Sequence, residues 1–297
     1  TIAVGDNSVS FEGSGVISYT PKSDVDIITL TVTNTSDRTV KNSLYYYTLS
    51  DSSIAIGYTS DTSTVPSTIG VSVDKGKSLT YKIKITGANG KTIRIGSSMG
   101  LVNSNLTLPT GASALDVFKM TGKVSDVLLA GVGDKGTIDT SDSEQTFITG
   151  TNPNNYIWYS GKLWRAVSID PSDNSVKLVT QWNISALSYN ADGNTAFEGS
   201  YMEQWLNDTS VDGFLGNLRE PDKFIKTDSV WNATLTPATT KPEKTTMVTD
   251  AVGLLNIYEY TMSCKNSTSS TGYLNNGLFW WTLTPYSTSY VRSVNNY

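Results

Sequence analysis

Leu278-Phe279-Trp280-Trp281-Thr282-Leu283-Thr284-Pro285-Tyr286, running on to Tyr290-Val291-Arg292-Ser293-Val294, decides how the C-terminal half is read. It holds the only adjacent tryptophan pair in the chain. In an extended segment, neighbouring side chains point to opposite faces, so the two indoles cannot share one core layer. The expectation is Trp280 inward, against Trp164 and Trp205, with Trp281 toward a loop face. Residues 284–290 beside the pair are where a ligand is first sought.

Working outward, all seven tryptophans lie between Trp158 and Trp281. This asymmetry divides the chain into a first unit at 1–108, a helical or loop joint at 109–146, and a second unit at 147–297. In the first unit, Ile27-Ile28-Thr29-Leu30-Thr31-Val32-Thr33 alternates β-branched and polar residues, then breaks at Asn34-Thr35-Ser36-Asp37. Period-two alternation closed by a turn cluster is the strand signal. Further runs are 43–49, 54–58, 69–73, 79–86 and 92–95. Asp74-Lys75-Gly76-Lys77 and Ala88-Asn89-Gly90-Lys91 separate them, the second as a candidate type I′ hairpin turn. Short strands at this spacing predict a sandwich of about seven strands. Tyr45-Tyr46-Tyr47 sits in one run, with Tyr46 facing away from its neighbours, and reads as core-plus-edge packing.

Pro109-Thr110-Gly111 ends the sandwich. Ala114 to Met120 and Val124 to Leu129 have the periodicity of one or two short helices. Asp139, Asp142 and Glu144 follow in a Gly- and Ser-rich stretch. The EF-hand pattern is absent, and a solvated acidic loop is expected there. The second unit opens with a hairpin: strand 156–159, turn Ser160-Gly161-Lys162, strand 163–169. Asp170-Pro171-Ser172-Asp173-Asn174 turns the chain into a strand at 176–180. Ser200 and Glu203 fit a capping box ahead of a helix that carries Tyr201, Met202, Trp205 and Leu206 on one face. A helical patch covers 211–218. Residues 219–246 are irregular, anchored by Phe224-Ile225 and Val230-Trp231. Val252-Gly253-Leu254-Leu255 reads as a buried strand, and Asn256 with Glu259 caps a last helix.

These pieces fall in a fixed order: a Trp-Tyr-Ser-Gly-Lys-Leu-Trp-Arg hairpin, a Ser-Tyr-Met-Glu-Gln-Trp-Leu-Asn helix, Val-Gly-Leu-Leu-Asn-Ile-Tyr-Glu-Tyr, Trp-Trp-Thr-Leu-Thr-Pro, and Val-Arg-Ser-Val. The order resembles a bacterial C-type-lectin-like domain, divergent kin of the sulfatase-modifying (formylglycine-generating) fold at the C-termini of Firmicutes surface and pilin-like proteins. The first unit resembles the immunoglobulin-like modules of bacterial surface proteins. The fold class expected is therefore mainly β with a smaller α+β part: an Ig-like β-sandwich followed by a C-type-lectin-like domain. The resemblance implies a twisted antiparallel sheet, two flanking helices, and recognition loops near the C-terminus. Its enzyme relatives use cysteine or copper sites. With Cys264 alone and no histidine, that activity is not carried over. Glu220-Pro221-Asp222 superficially matches a calcium-lectin motif, but it stands too early in the chain and reads as a helix start. The family pattern continues past Val294 to a last strand. The chain stopping at Tyr297 is read as truncation, or as a final strand supplied by another chain.

Composition narrows the function classes. With 22 Lys and Arg against 27 Asp and Glu, net charge −5, and no basic stripe, nucleic-acid binding is not expected. The absence of histidine removes His-based catalysis and His-ligated metals. One cysteine closes no intrachain disulfide and reads as a small core residue. No apolar run is long enough to span a bilayer. The chain opens at Thr1 without methionine and is read as a mature or trimmed polypeptide. The expected function is a non-catalytic bacterial cell-surface protein, an adhesin or pilus-type subunit, extracellular and from a Gram-positive bacterium. It needs no cofactor or metal. Its partners are a protein or glycan on another surface, with self-assembly by strand addition. Candidate ligand-binding residues are Trp281, Tyr286, Tyr290, Arg292 and Trp231, aromatic planes and a cation suited to a sugar or protein surface. The alternative is a carbohydrate-binding lectin module. The remote alternative is a glycoside hydrolase using two carboxylates, drawn from the scattered Glu198, Glu203, Asp208, Asp212 and Glu259.

Overall fold

Alternation in the first hundred residues is realised as two antiparallel sheets sharing one core. The computed structural model describes residues 2–4, 10–12, 16–47, 53–58, 71–101, 114–190, 193–210, 212–265, 267 and 271–294. The strands are β1 (Ile2–Val4), β2 (Ser10–Glu12), β3 (Val16–Tyr19), β4 (Val25–Thr33), β5 (Val40–Tyr47), β6 (Ala55–Tyr58), β7 (Val71–Val73), β8 (Ser78–Thr86) and β9 (Ile93–Leu101). One sheet has the order β1-β4-β8-β6 and the other β2-β3-β9-β5-β7, so nine strands are present among the described residues where about seven were expected. Every second residue of β4 and β8 points inward. Ile28, Leu30, Val32, Tyr81, Ile83 and Ile85 meet Ile17, Tyr19, Ile93 and Ile95 of the facing sheet. Each such side chain contributes about 1.5–3 kcal/mol by leaving water. One polar link crosses the core, where Tyr81 Oη donates to Asn42 Oδ1 at 2.7 Å.

Asp74-Lys75-Gly76-Lys77 is a turn, closed by Lys77 N–H to Asp74 O at 2.9 Å. Ala88-Asn89-Gly90-Lys91 also turns the chain, but it is not a type I′ hairpin. Only Gly90 takes positive φ, and the flanking strands β8 and β9 belong to different sheets, so the turn carries the chain between layers. Tyr45, Tyr46 and Tyr47 lie on β5, but their side chains, like Pro109-Thr110-Gly111, lie outside the described residues.

The C-terminal part is organised on a six-stranded sheet. Its strands are β10 (Leu115–Asp116), β11 (Gly136–Asp139), β12 (Thr146–Gly150), β13 (Tyr156–Tyr159), β14 (Lys162–Ile169) and β15 (Val176–Thr180). β14 is the hub. β13 pairs with its first half and β12 with its last two residues along one edge, and β15 runs along the other. The β13–β14 hairpin turns at Ser160 (φ 51°) and Gly161 (φ 66°), the positive φ at both central residues that a type I′ turn needs. The joint set apart by sequence at 109–146, described from residue 114, supplies β10, α1 (Val124–Ala130) and β11 to this part. The helix expected over 114–120 is instead a short strand and a turn. Asp116 Oδ1 accepts Phe118 N–H at 3.1 Å and Asp116 O accepts Lys119 N–H at 2.9 Å, diverting the backbone from a helix.

Two apolar clusters cover the two faces of this sheet. One gathers Ile148, Ile157, Trp164 and Ala166 with Met202 and Leu206 of α2 (Tyr201–Asn207). The other gathers Phe147 and Val167 with Ile257 and Tyr260 of α4 (Ile257–Ser263). Both helices begin on the caps read from sequence. Ser200 Oγ accepts Glu203 N–H at 3.1 Å, although the Glu203 carboxylate returns to Gly199 N–H rather than to the cap residue. At α4 the box is complete, with Asn256 and Glu259 exchanging bonds of 2.9 Å. Tyr201 departs from its expected core position and is 48% exposed. The 211–218 patch reduces to one 3-10 turn, Leu215–Asn217. Pro221 starts the short helix α3 (Pro221–Phe224), which accounts for Glu220-Pro221-Asp222.

Two small ribbons complete the chain, β16 (Ser229–Asn232) with β17 (Met247–Asp250), and β18 (Trp280–Pro285) with β19 (Val291–Val294). The apolar run 252–255 is not a strand. Asn207 takes both backbone groups of Val252, at 2.9 Å each, and so replaces a strand partner with a side chain. Among the described residues no helix is long and apolar enough to cross a membrane.

Candidate functional site: an aromatic cleft in the C-terminal part

The C-terminal part encloses a cleft of about 1260 Å³. β15 lines it throughout, from Ser175 to Gln181, with β16, the irregular segment 251–256, the start of α4, and Phe279, Trp280 and Trp281. Five of the seven tryptophans border it: Trp164, Trp205, Trp231, Trp280 and Trp281. A cleft this apolar, with a few polar groups converging on it, is the usual form of a binding site.

The tryptophan pair splits as an extended segment requires. Trp280 pairs with Val294 and packs edge-on to Tyr260, with ring centroids 5.7 Å apart, so it belongs to the α4 side of the sheet. It does not meet Trp164 and Trp205, which lie in the opposite cluster. Trp281 stands at the rim, 38% exposed. Its Nε1–H donates to Leu187 O at 3.2 Å, and its ring meets Tyr189 edge-on at 5.9 Å.

Trp231 is the second candidate that reaches the cleft. It is buried, and its Nε1–H donates to Asp250 O at 2.9 Å. Gly253 permits this, because a Cβ at that position would collide with the indole. Tyr286, Tyr290 and Arg292 lie elsewhere, on the end and return strand of the last ribbon. The two tyrosines are 62% and 69% exposed, and the Arg292 guanidinium sits 4.8 Å from the Tyr286 ring centre. The five candidates thus form two places, a cleft and a surface tip. Phe224 and Val230, read as anchors, are exposed, whereas Ile225 is half-buried in the core.

The polar centre of the cleft was not foreseen. Lys177 Nζ meets Glu259 Oε1 at 2.5 Å, with the Glu259 side chain 2% exposed, and lies 4.8 Å over the Trp231 ring. Gln145 Nε2 donates weakly to Glu259 at 3.4 Å and its Oε1 accepts Ser168 Oγ–H at 2.6 Å. The sequence showed Glu259 as a helix cap and Lys177 as a strand residue. Nothing in it joined two residues so far apart.

The acidic stretch is an exposed loop at 140, 141, 143 and 144, as expected, but its carboxylates are paired rather than left to solvent. Asp142 is buried against Lys241 at 2.8 Å and Tyr258 Oη at 2.9 Å, Glu144 meets Lys244 at 2.7 Å, and Asp139 meets Lys265 at 2.5 Å. Hydrogen bonds from Lys265 and then Ser141 hold the Asp139 carboxyl down, to about 2. Burial opposes ionisation of Asp142, but Lys241, the Glu144 N–H and Tyr258 outweigh it and keep it low. Among the described residues no group of three or more His, Cys, Asp or Glu is placed to hold a metal ion. Cys264 is buried, and burial pushes its thiol pKa up, which suits a core residue. Comparison of the chain with protein-family models, with curated proteins and with solved structures finds no match in any of the three.

Proposed function

We propose that this chain is a non-catalytic bacterial cell-surface protein, of the adhesin or pilus-subunit type, that captures a partner in its C-terminal cleft. In this reading the sandwich is an immunoglobulin-like stalk, and the C-terminal part is a C-type-lectin-like recognition unit. The carrying observation is the cleft itself, about 1260 Å³ and bordered by five tryptophans. The charged groups at its centre and side support binding over catalysis. Glu259 is occupied by Lys177 and by the α4 cap, and Glu144 by Lys244. Both carboxylates are engaged by lysines. A second reading, a lectin in the narrow sense, is favoured by Trp281, whose part-exposed ring at the rim offers a stacking plane for a sugar.

Antibody labelling of intact cells carrying the full-length protein tests the location. Surface signal before lysis is expected, and labelling only after lysis would overturn the proposal. Titration with glycans, read by tryptophan emission and repeated with Trp281→Ala, tests the lectin reading.

A further inference from the structure

The six-stranded sheet is open along one side. β15 pairs with β14 alone, and among the described residues no backbone hydrogen bond reaches its far edge. Gln181 N–H donates to Leu163 O at 2.8 Å. Orientation alternates along an antiparallel ladder, so Leu178 and Thr180 turn their N–H and C=O groups away from β14. They turn toward the cleft, which every residue of β15 lines, and all five residues of the strand are only half-buried. A row of unpaired donors and acceptors on a strand edge is a template for another strand.

The surroundings of that edge define what fits. Val176 and Leu178 share one apolar cluster with Trp231 and Leu254, while Val179 shares the other with Leu255 and Tyr258. All four partners line the cleft. A strand laid along β15 would therefore meet apolar walls on both faces, and strands buried on both faces are continuous apolar runs. The four cleft lysines seek no acidic ligand, since Lys177 is matched by Glu259, Lys226 by Asp173, Lys241 by Asp142, and Lys244 by Glu144.

We infer that the cleft takes an extended, uncharged, apolar-rich peptide segment of a partner protein, added as a strand to the free edge of β15. This rests on the reading of the cleft as the recognition site, and names its ligand class. The five residues of the edge match a segment about 17 Å long. Main-chain bonds supply affinity, and the flanking indoles and aliphatic side chains supply selectivity.

The test uses the whole chain and a library of synthetic ten-residue peptides. Their central six positions are drawn from Val, Ile, Leu, Phe and Thr, with Ser-Gly flanks for solubility. The tightest binder is resynthesised with N-methyl groups at alternate residues, in both registers. One register should weaken binding roughly tenfold or more, and the other should leave it nearly unchanged, because only one removes the edge bonds. Amide exchange at Leu178 and Thr180 should slow in the complex. Thr180→Pro, which removes an outward N–H, should also weaken binding about tenfold. Should that variant fail to fold, the N-methylated peptides still decide the matter on the unaltered chain. Equal binding by both N-methyl registers overturns strand addition. Dimerisation that Thr180→Pro abolishes would assign the edge to a second copy and also overturns it. Binding of neutral oligosaccharides but of no peptide overturns the peptide and leaves the recognition reading standing. If neither peptides nor oligosaccharides bind, both readings fall.

Discussion

The sandwich and the C-terminal part are both built from antiparallel sheets, yet they spend their apolar residues differently. In the sandwich, two sheets bury their inner faces on each other, with an aliphatic core of Ile17, Ile28, Leu30, Ile83, Ile85, Ile93 and Ile95. In the C-terminal part, one sheet is covered on both faces, and the covering is irregular chain, short helices and indoles. Short helices and irregular segments cannot seal a sheet as another sheet does, and the gap they leave is the cleft. The first arrangement leaves a closed aliphatic core and the second an open cleft.

The comparison breaks most readily at the cores. Ile83→Ala should cost about 2–5 kcal/mol and be felt in the sandwich. Tryptophan emission reports mainly the C-terminal part, which holds all seven indoles, and should keep most of its melting transition while circular dichroism shows an earlier one; Trp182, packed on Gly100 of β9, should sense the sandwich. Trp164→Ala should do the reverse, at about 3–5 kcal/mol, because its ring meets Phe214 and its Nε1–H serves Tyr159 O. If both probes shift together in both variants, the two regions unfold as one cooperative unit and the division fails.

Next in size is Glu259→Ala. It strands Lys177 in a half-buried site and removes half of the α4 capping box. A loss of about 2–4 kcal/mol is expected in urea melts, with weaker binding in the cleft. A Lys177→Met, Glu259→Leu pair should recover much of the stability, since apolar replacements often match a buried ion pair. A double variant no more stable than Glu259→Ala would show that the cap, not the pair, carries the effect.

How much of this was legible follows from the range of each signal. Ile27 to Thr33 declared its strand because period two is local. Ser160-Gly161, Ser200 with Glu203, and Asn256 with Glu259 declared a turn and two helix starts within a few residues. Val252 to Leu255 misled because a short apolar run reads alike as buried strand or buried coil, and the deciding group, Asn207, is remote in sequence. The same distance hid the pairing of Lys177 with Glu259 and the fit of Trp231 over Gly253. Trp280 was rightly placed inward from Trp281, but which side of the sheet it would take depended on α4. Fold was legible where a single segment decides it; of the site only Trp231 and Trp281 were, because the cleft is assembled from many stretches far apart in the chain.

Asp250 sharpens the contrast between site and scaffold at a smaller scale. Burial, helped by Glu203 and Glu198, raises its carboxyl from 3.8 to about 6, and its Oδ2 is buried without a hydrogen bond. A raised carboxyl binds its proton more tightly folded than unfolded. The stability is therefore full below pH about 3.8, and is lost as pH rises through about 6. The whole shift corresponds to about 3 kcal/mol, which partial solvent screening reduces to about 1–2 kcal/mol. Asp250→Asn should raise the Tm at pH 7.5 and leave it unchanged near pH 3.5. An equal gain at both values would mean that the carboxylate is not the source.

The smallest effect separates the cleft from the exposed tip. Tyr286→Ala and Tyr290→Ala remove rings that are 62% and 69% exposed, so stability should change by no more than about 1 kcal/mol. The one contact at stake is the Arg292 guanidinium over Tyr286, worth about 0.5–1 kcal/mol at such a site. Trp281→Ala, by contrast, gives up a hydrogen bond to Leu187 O and the edge contact with Tyr189, and should lower the Tm by a few degrees. For any ligand that enters the cleft, the two tyrosine variants should bind like the parent chain and the tryptophan variant should not. A ligand lost with Tyr286 or Tyr290 but retained by Trp281→Ala would move the recognition surface from the cleft to the last ribbon. Partner choice would then lie with exposed rings, and the open edge of β15 would need another explanation.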